Sequence, residues 1–302
     1  MSRVRLEAGC EPIPGLKLVQ LRGRGGFAVV WEAVDRKGAR SAVKFMASRN
    51  AASSVKEMRI IQAIQRLYHK NLLRVDNVWS IPDYIVVAME LADGSLLDLL
   101  DVWHEEYRAH LPANLIVGYL KQAAGALDFL NAREHTFDGR TVGFQHCDVK
   151  PSNLLLVGET VKLADFGLCT ATAGFQANYG RAGTLDFAAP EIHRGDLADQ
   201  SDQYSLAVTY FYLRTGMFPF PTPPAGFQRE YSYNRPAPDL TRVSRAERFV
   251  LEKALDIEPT GRWSSCTALV LALEEAVNHP ERVPNTSSAL LRRPVIVPAA
   301  RN

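Results

Sequence analysis

The sequence predicts an α+β fold in two unequal lobes, a small β-rich N-terminal one with a single helix and a larger, mainly α-helical C-terminal one. Three observations predict it. Short apolar–polar alternations bounded by turn residues fill residues 16–92, whereas apolar residues recur at helical spacing from residue 96 onward. At about 150 residues per unit, the 302-residue length fits two units. A hydrophobic fraction of 47% is enough to bury a core in each.

Residues 16–21 alternate as a strand does. Two more strands, 29–34 and 41–45, are joined by the turn Asp35-Arg36-Lys37-Gly38. Ser53 or Ser54 offers an N-cap, and Val55, Met58, Ile61, Ile64 and Leu67 then recur at helical spacing. Strand-like runs at 72–79 and 84–91 flank Ile81-Pro82-Asp83. Amphipathic helices follow at 96–107 and 115–130. Within the polar stretch 131–141, the insert 134–140, with a turn at Asp138-Gly139, reads as a surface excursion or a regulatory contact. A hairpin is expected over 154–164, and helices at 202–213, 245–255 and 266–277. Residues 218–238, rich in Pro and aromatics, read as an ordered irregular loop. Four prolines after His279, with little periodicity, read as a flexible tail. The expected division is therefore an N-terminal extension 1–15, a first lobe 16–92, a second lobe 93–279 and a tail 280–302.

A net charge of +2 gives no basis for a nucleic-acid partner. No 18-residue apolar run marks a membrane segment, and the basic N-terminus lacks the apolar stretch of a secretory signal. Cys10, Cys147, Cys169 and Cys266 are scattered, with no zinc-type spacing, as expected of reduced thiols in a cytoplasmic protein. Nothing in the pattern signals an oligomeric state.

Four motifs carry chemistry. Gly23-Arg24-Gly25-Gly26-Phe27-Ala28 lies between two strands, where glycines let a backbone approach phosphates. A dinucleotide fingerprint would need a helix straight after the glycines, and Val29-Val30-Trp31 favours a strand. Lys44, in Ala42-Val43-Lys44, places a point charge on the next strand, and Glu57 in the following helix is a partner for it. In His146-Cys147-Asp148-Val149-Lys150-Pro151-Ser152-Asn153, Asp148 accepts a hydroxyl proton and Lys150 steadies a transferring phosphoryl group. Asn153 and the Asp165 of Asp165-Phe166-Gly167 offer the hard oxygens that suit Mg²⁺.

These motifs, in this order, with Ala189-Pro190-Glu191, Asp202 and Arg262, resemble the eukaryotic-type Ser/Thr protein kinase family in its bacterial-like form. The resemblance spans roughly residues 16–275. It implies the bilobal kinase fold and transfer of the γ-phosphoryl of Mg-ATP to Ser/Thr hydroxyls of a protein substrate. By resemblance, Gly23, Gly25, Gly26, Val30, Ala42, Lys44, Met89, Glu90, Ala92 and Leu155 hold ATP, with Met89 guarding the pocket behind adenine. Asp148, Lys150, Lys44 and Glu57 are the catalytic set, and Asn153 and Asp165 bind the metal. Ile61, Val75, His146 and Phe166 would stack into the apolar column of the active state, and Arg262 would pair with Glu191. The alternatives are a pseudokinase scaffold that kept the shell and a small-molecule phosphotransferase.

Two positions depart from the family pattern. Ala28 stands where a third glycine is usual, and Cys147 stands where many members carry an arginine that binds an activation-loop phosphate. The second departure leads us to expect a kinase that needs no phosphate at Thr170, Thr172 or Tyr179, or one switched by another route. Thr184 is expected to hydrogen-bond near Asp148 and Lys150.

Overall fold

The computed structural model describes residues 4–26, 28–48, 51–172, 186–221 and 235–282. Expectations for Phe27, Tyr179, Gly183 and Thr184, for the tail beyond 282 and for most of the 218–238 loop lie outside the described residues.

The N-terminal lobe is a five-stranded antiparallel sheet: β1 (Leu16–Arg24), β2 (Ala28–Asp35), β3 (Arg40–Ala47), β4 (Val75–Ile81) and β5 (Tyr84–Met89), in the order β1-β2-β3-β5-β4. Its outer face closes over Leu18, Trp31, Val43, Phe45 and Val86. Residues 4–15 are fastened to this face: Ile13 is buried there, and the Gly9 N–H donates to the Leu18 carbonyl at 2.8 Å. The register between β1 and β2 slips twice, at Leu18/Gln20 and Leu21/Gly23, and these bulges bend the strand into the glycine loop.

The helix α1 (Ala51–Gln65) begins before the serines expected to cap it. Ser54 lies inside it, and its hydroxyl is shared with Ser48 Oγ at 2.6 Å, so it is spent on the strand side. Ile60, Ile61 and Ile64 bury α1 against the core that continues into the second lobe.

The C-terminal lobe opens with β6 (Gly94–Ser95) and α2 (Leu96–Tyr107). A capping box fixes where α2 starts: Ser95 Oγ accepts the Asp98 N–H, and Asp98 Oδ2 accepts the Ser95 N–H at 2.7 Å. The long α3 (Ala113–Asn131) follows, apolar along most of one side. The stretch read as a surface excursion is a hairpin, β7 (His135–Phe137) and β8 (Arg140–Val142). Its turn takes left-handed φ at Asp138 (51°) and Gly139 (72°), as a tight hairpin needs. It is ordered because His135 and Val142 are buried at its base.

The chain runs on through β9 (Phe144–Gln145), β10 (Leu154–Val157), β11 (Thr160–Leu163) and β12 (Thr170–Ala171), then α4 (Pro190–His193), α5 (Ser201–Thr215), α6 (Arg245–Ala254) and α7 (Cys266–Asn278). α5 is buried at every residue except Tyr212 and Arg214, and α3 and α7 pack together beside it.

Gly143, between β8 and β9, sits at a close approach. A Cβ there would overlap the Asn131 carbonyl oxygen and stand 3.3 Å from Thr172 Oγ1. Gly143→Ala is expected to destabilise the protein by about 1–3 kcal/mol, as overpacking against backbone does, and urea denaturation measures it.

Candidate active site

The site lies where the sheet meets the helical lobe, in a cavity of about 520 Å³. Strand pairing builds its roof. Val30 is opposite Lys44, and Ala42 is opposite Met89, so the two-residue period points Ala42 and Lys44 to one face. Val30, Ala42, Leu73, Met89, Ala164 and Leu155 form a separate apolar cluster around it. The cavity is apolar along these walls, with a charged end at Lys44.

Gly23, Val30, Ala42, Lys44, Met89, Glu90, Ala92, Asn153, Leu155 and Asp165 all line the cavity. Gly25, Gly26, Glu57, Asp148 and Lys150 are not among its walls. The glycines here are a matter of room, not of unusual backbone: none of Gly23, Gly25 and Gly26 has positive φ, and a Cβ at Gly23 or Gly26 would meet nothing within 4 Å. The hairpin closes through the Gly25 N–H to the Ala28 carbonyl at 2.8 Å.

At the hinge, the Glu90 N–H is spent on the Arg74 carbonyl at 3.0 Å. The Glu90 side chain turns away to accept from the Arg74 N–H and to face Lys162 Nζ at 3.3 Å. This tether had no signal in the sequence, because Lys162 is 72 residues further on with no spacing rule to connect them.

The floor is the loop after β9. Asp148 Oδ2 accepts from Lys150 Nζ at 2.8 Å and from Asn153 Nδ2 at 2.9 Å. Asn153 Nδ2 also donates to the Asp148 carbonyl, so its amide oxygen faces elsewhere. The Ala164 N–H donates to the Asn153 carbonyl at 2.9 Å, setting Asn153 beside Asp165. The loop is held from below by Asp202 of α5, whose carboxylate accepts the N–H groups of His146 (2.6 Å) and Cys147 (2.7 Å). Burial pushes the Asp202 carboxyl above its ordinary value, against the pull of these donors. Those bonds fix Cys147 in the left-handed region at φ 67°, a conformation a non-glycine residue keeps only when its surroundings over-determine it.

Asp165 also has φ 67°, and it meets Lys44 Nζ at 2.6 Å. Burial alone would raise the Asp165 carboxyl; Lys44, aided by His146 and Lys150, outweighs it and holds it below the usual carboxylate range. About a third of this side chain remains open to the cavity. The ion pair of Lys44 is thus with Asp165, while Glu57 Oε1 lies 3.0 Å from where a Gly167 Cβ would be. Ile61, Val75, His146 and Phe166 are all buried, with the His146 and Phe166 rings edge-to-face at 5.7 Å. Farther down, Arg262 meets Glu191 through two parallel bonds of 2.7 and 2.8 Å.

Asn153 and Asp165 both line the cavity, and their oxygens are hard donors of the kind that would suit a divalent ion, with Lys44 in contact with Asp165. No group of three or more His, Cys, Asp or Glu among the described residues is placed to hold a metal ion. Among the described residues, no helix is long and apolar enough to cross a membrane.

Comparison with known proteins agrees with this geometry. The family model for a protein kinase domain matches residues 16–280. The serine/threonine-protein kinase PknF of Mycobacterium tuberculosis is 27% identical over 317 residues, covering 94% of this chain and 63% of that protein. A probable myosin light chain kinase of Dictyostelium discoideum is 28% identical over 271 residues, covering 85% of this chain and 64% of the relative. CBL-interacting protein kinase 4 of Oryza sativa is 30% identical, with 83% of this chain and 56% of the relative covered. The chain therefore spans less than two thirds of the length of these relatives. With a matching family model over most of its length and the family's motifs gathered at one cleft, the chain belongs to the protein kinase domain family.

Proposed function

We propose that this chain transfers the γ-phosphoryl of Mg-ATP to Ser or Thr hydroxyls of a protein substrate. The observation that carries the reading is the hydrogen-bonded cluster of Asp148, Lys150 and Asn153, set beside Asp165 and its partner Lys44.

The adenine ring enters the slot between Val30, Ala42 and Leu155, and its edge meets backbone groups of Glu90 and Ala92. Lys44 is placed for the α- and β-phosphates. Asn153 and Asp165 are the residues that would hold Mg²⁺, which supplies charge neutralisation on the triphosphate when bound. Both side-chain bonds to Asp148 fall on Oδ2, so Oδ1 is the atom left to accept the proton of the incoming hydroxyl. Lys150, bonded to that carboxylate, brings positive charge to the phosphoryl in flight. The choice of Ser/Thr rests on Lys150 in this loop and on the Ser/Thr kinases among the relatives. Buried cysteines outside any disulfide, at Cys147, Cys169 and Cys266, suit a reducing, cytoplasmic setting.

Incubation with γ-labelled ATP, Mg²⁺ and a generic basic protein, followed by phosphoamino-acid analysis, tests the reading. Label on Ser or Thr is expected. Label on tyrosine alone would overturn the residue choice, and label only on a small molecule would overturn the substrate class.

A further inference from the structure

The β7–β8 hairpin takes no part in the chemistry above, yet it reaches from the helical lobe to α1. Arg59 of α1 forms an ion pair with Asp138 at the hairpin tip, and its guanidinium lies 6.0 Å from the Phe137 ring centre. The tip is a stiff platform. Phe137 stands edge-on to the fully buried Phe144 at 5.8 Å, and the His135 ring nitrogen bonds the Phe129 carbonyl at 2.7 Å. The base of the hairpin is tied to the first residues after the Asp165-Phe166-Gly167 turn. The Gly143 N–H donates to Thr172 Oγ1 at 3.0 Å, and the Thr172 N–H donates to the Gly143 carbonyl at 2.8 Å.

α1 is therefore held on two sides. Glu57 sits against Gly167, and Arg59, two residues on and so on a different face, is gripped by the hairpin. Nearby, the position before Asp148 holds the buried thiol of Cys147, which donates to the Gln145 carbonyl. The Thr170 and Thr172 hydroxyls are engaged with the Leu168 and Gly143 carbonyls.

We propose that Arg59, Asp138 and Phe137 are positioning residues: they latch α1 to the helical lobe and set Glu57 at the Asp165-Phe166-Gly167 turn. The consequence for catalysis rests on the kinase reading; the contact itself does not. A partly exposed ion pair and a surface cation–π contact together shift a two-state equilibrium by about three- to tenfold, so the latch biases α1 and does not lock it.

Hydrogen exchange on the whole chain reads the latch directly. In Arg59→Ala and in Asp138→Arg, amides of α1 are expected to exchange about three- to tenfold faster, with those of α3 and α5 unchanged. The swapped pair Arg59→Asp/Asp138→Arg is expected to slow α1 exchange back toward the native rate. In phosphoryl transfer the single variants should lose kcat by a similar factor at unchanged KM for the protein substrate. Native α1 exchange in both single variants, or a swapped pair exchanging as fast as the worse single variant, overturns the latch. Faster α1 exchange in Arg59→Ala within a chain that transfers no phosphate would uphold the latch and refute the kinase reading instead.

Discussion

Asp148→Asn is expected to lower kcat about 10²–10⁴-fold, the range for a lost acid–base group, while the KM for ATP stays close to native. Asp148 is not a wall of the cavity proposed for nucleotide, so ATP would lose no direct contact. The loop should hold its shape, because Asn153 keeps its bond to the residue 148 carbonyl and Asp202 keeps its grip on His146 and Cys147. On the proposed reading, what disappears is the oxygen that would take the hydroxyl proton. Steady-state kinetics with a peptide substrate measures both constants. A KM for ATP that rises in step with the fall in kcat would reassign Asp148 to binding, and unchanged turnover would remove it from the reaction.

Arg262→Met is expected to cost about 3–5 kcal/mol of stability, the range for breaking one partner out of a buried pair. The Glu191 and Arg262 side chains are 4% and 0% exposed, so water cannot replace the lost guanidinium. Arg262 also donates to the carbonyls of Asp256, Gln200 and Ile257, and these lose a partner as well. The pH dependence follows with a definite sign. Burial would raise the Glu191 carboxyl, but Arg262 outweighs it and lowers it below the ordinary value. A depressed carboxyl stabilises the fold above its unfolded pKa and loses that contribution as pH falls through its folded pKa. The gap between native and Arg262→Met should therefore be full near neutrality and should narrow below about pH 4. Urea denaturation at a series of pH values tests this. A gap that stays constant into acid would mean that packing, not charge pairing, is what the arginine supplies.

How much of this could be read from the sequence depends on how local each signal is. The α2 range matches its expected bounds because the capping residues Ser95 and Asp98 sit three apart at its start. The strands β1 to β3 were legible through alternation. The β7–β8 hairpin was not, since three-residue strands are too short to show a period and the partners of His135 are on α3 and β9. The chemistry-bearing residues announce themselves as motifs, yet their pairing does not. Lys44 and Glu57 are both legible as charges, but where α1 lies relative to β3 and the Asp165-Phe166-Gly167 turn decides whom each one meets, and that is a property of the assembled core. Asp202 is legible only through the family resemblance, which does not show the backbone groups it holds, and the half-buried Lys162 behind the hinge acts across 72 residues with no spacing rule to find.

A helix hidden along almost its whole circumference, as α5 is, cannot come away in pieces. Solvent deuterium should reach its amides only when the entire lower half of the protein opens, so these are the slowest clocks in the molecule. Asp202 sits in the first turn of that helix, and the loop carrying Asp148 hangs from it. The Asp148 loop is thus bolted to the part of the chain expected to open last.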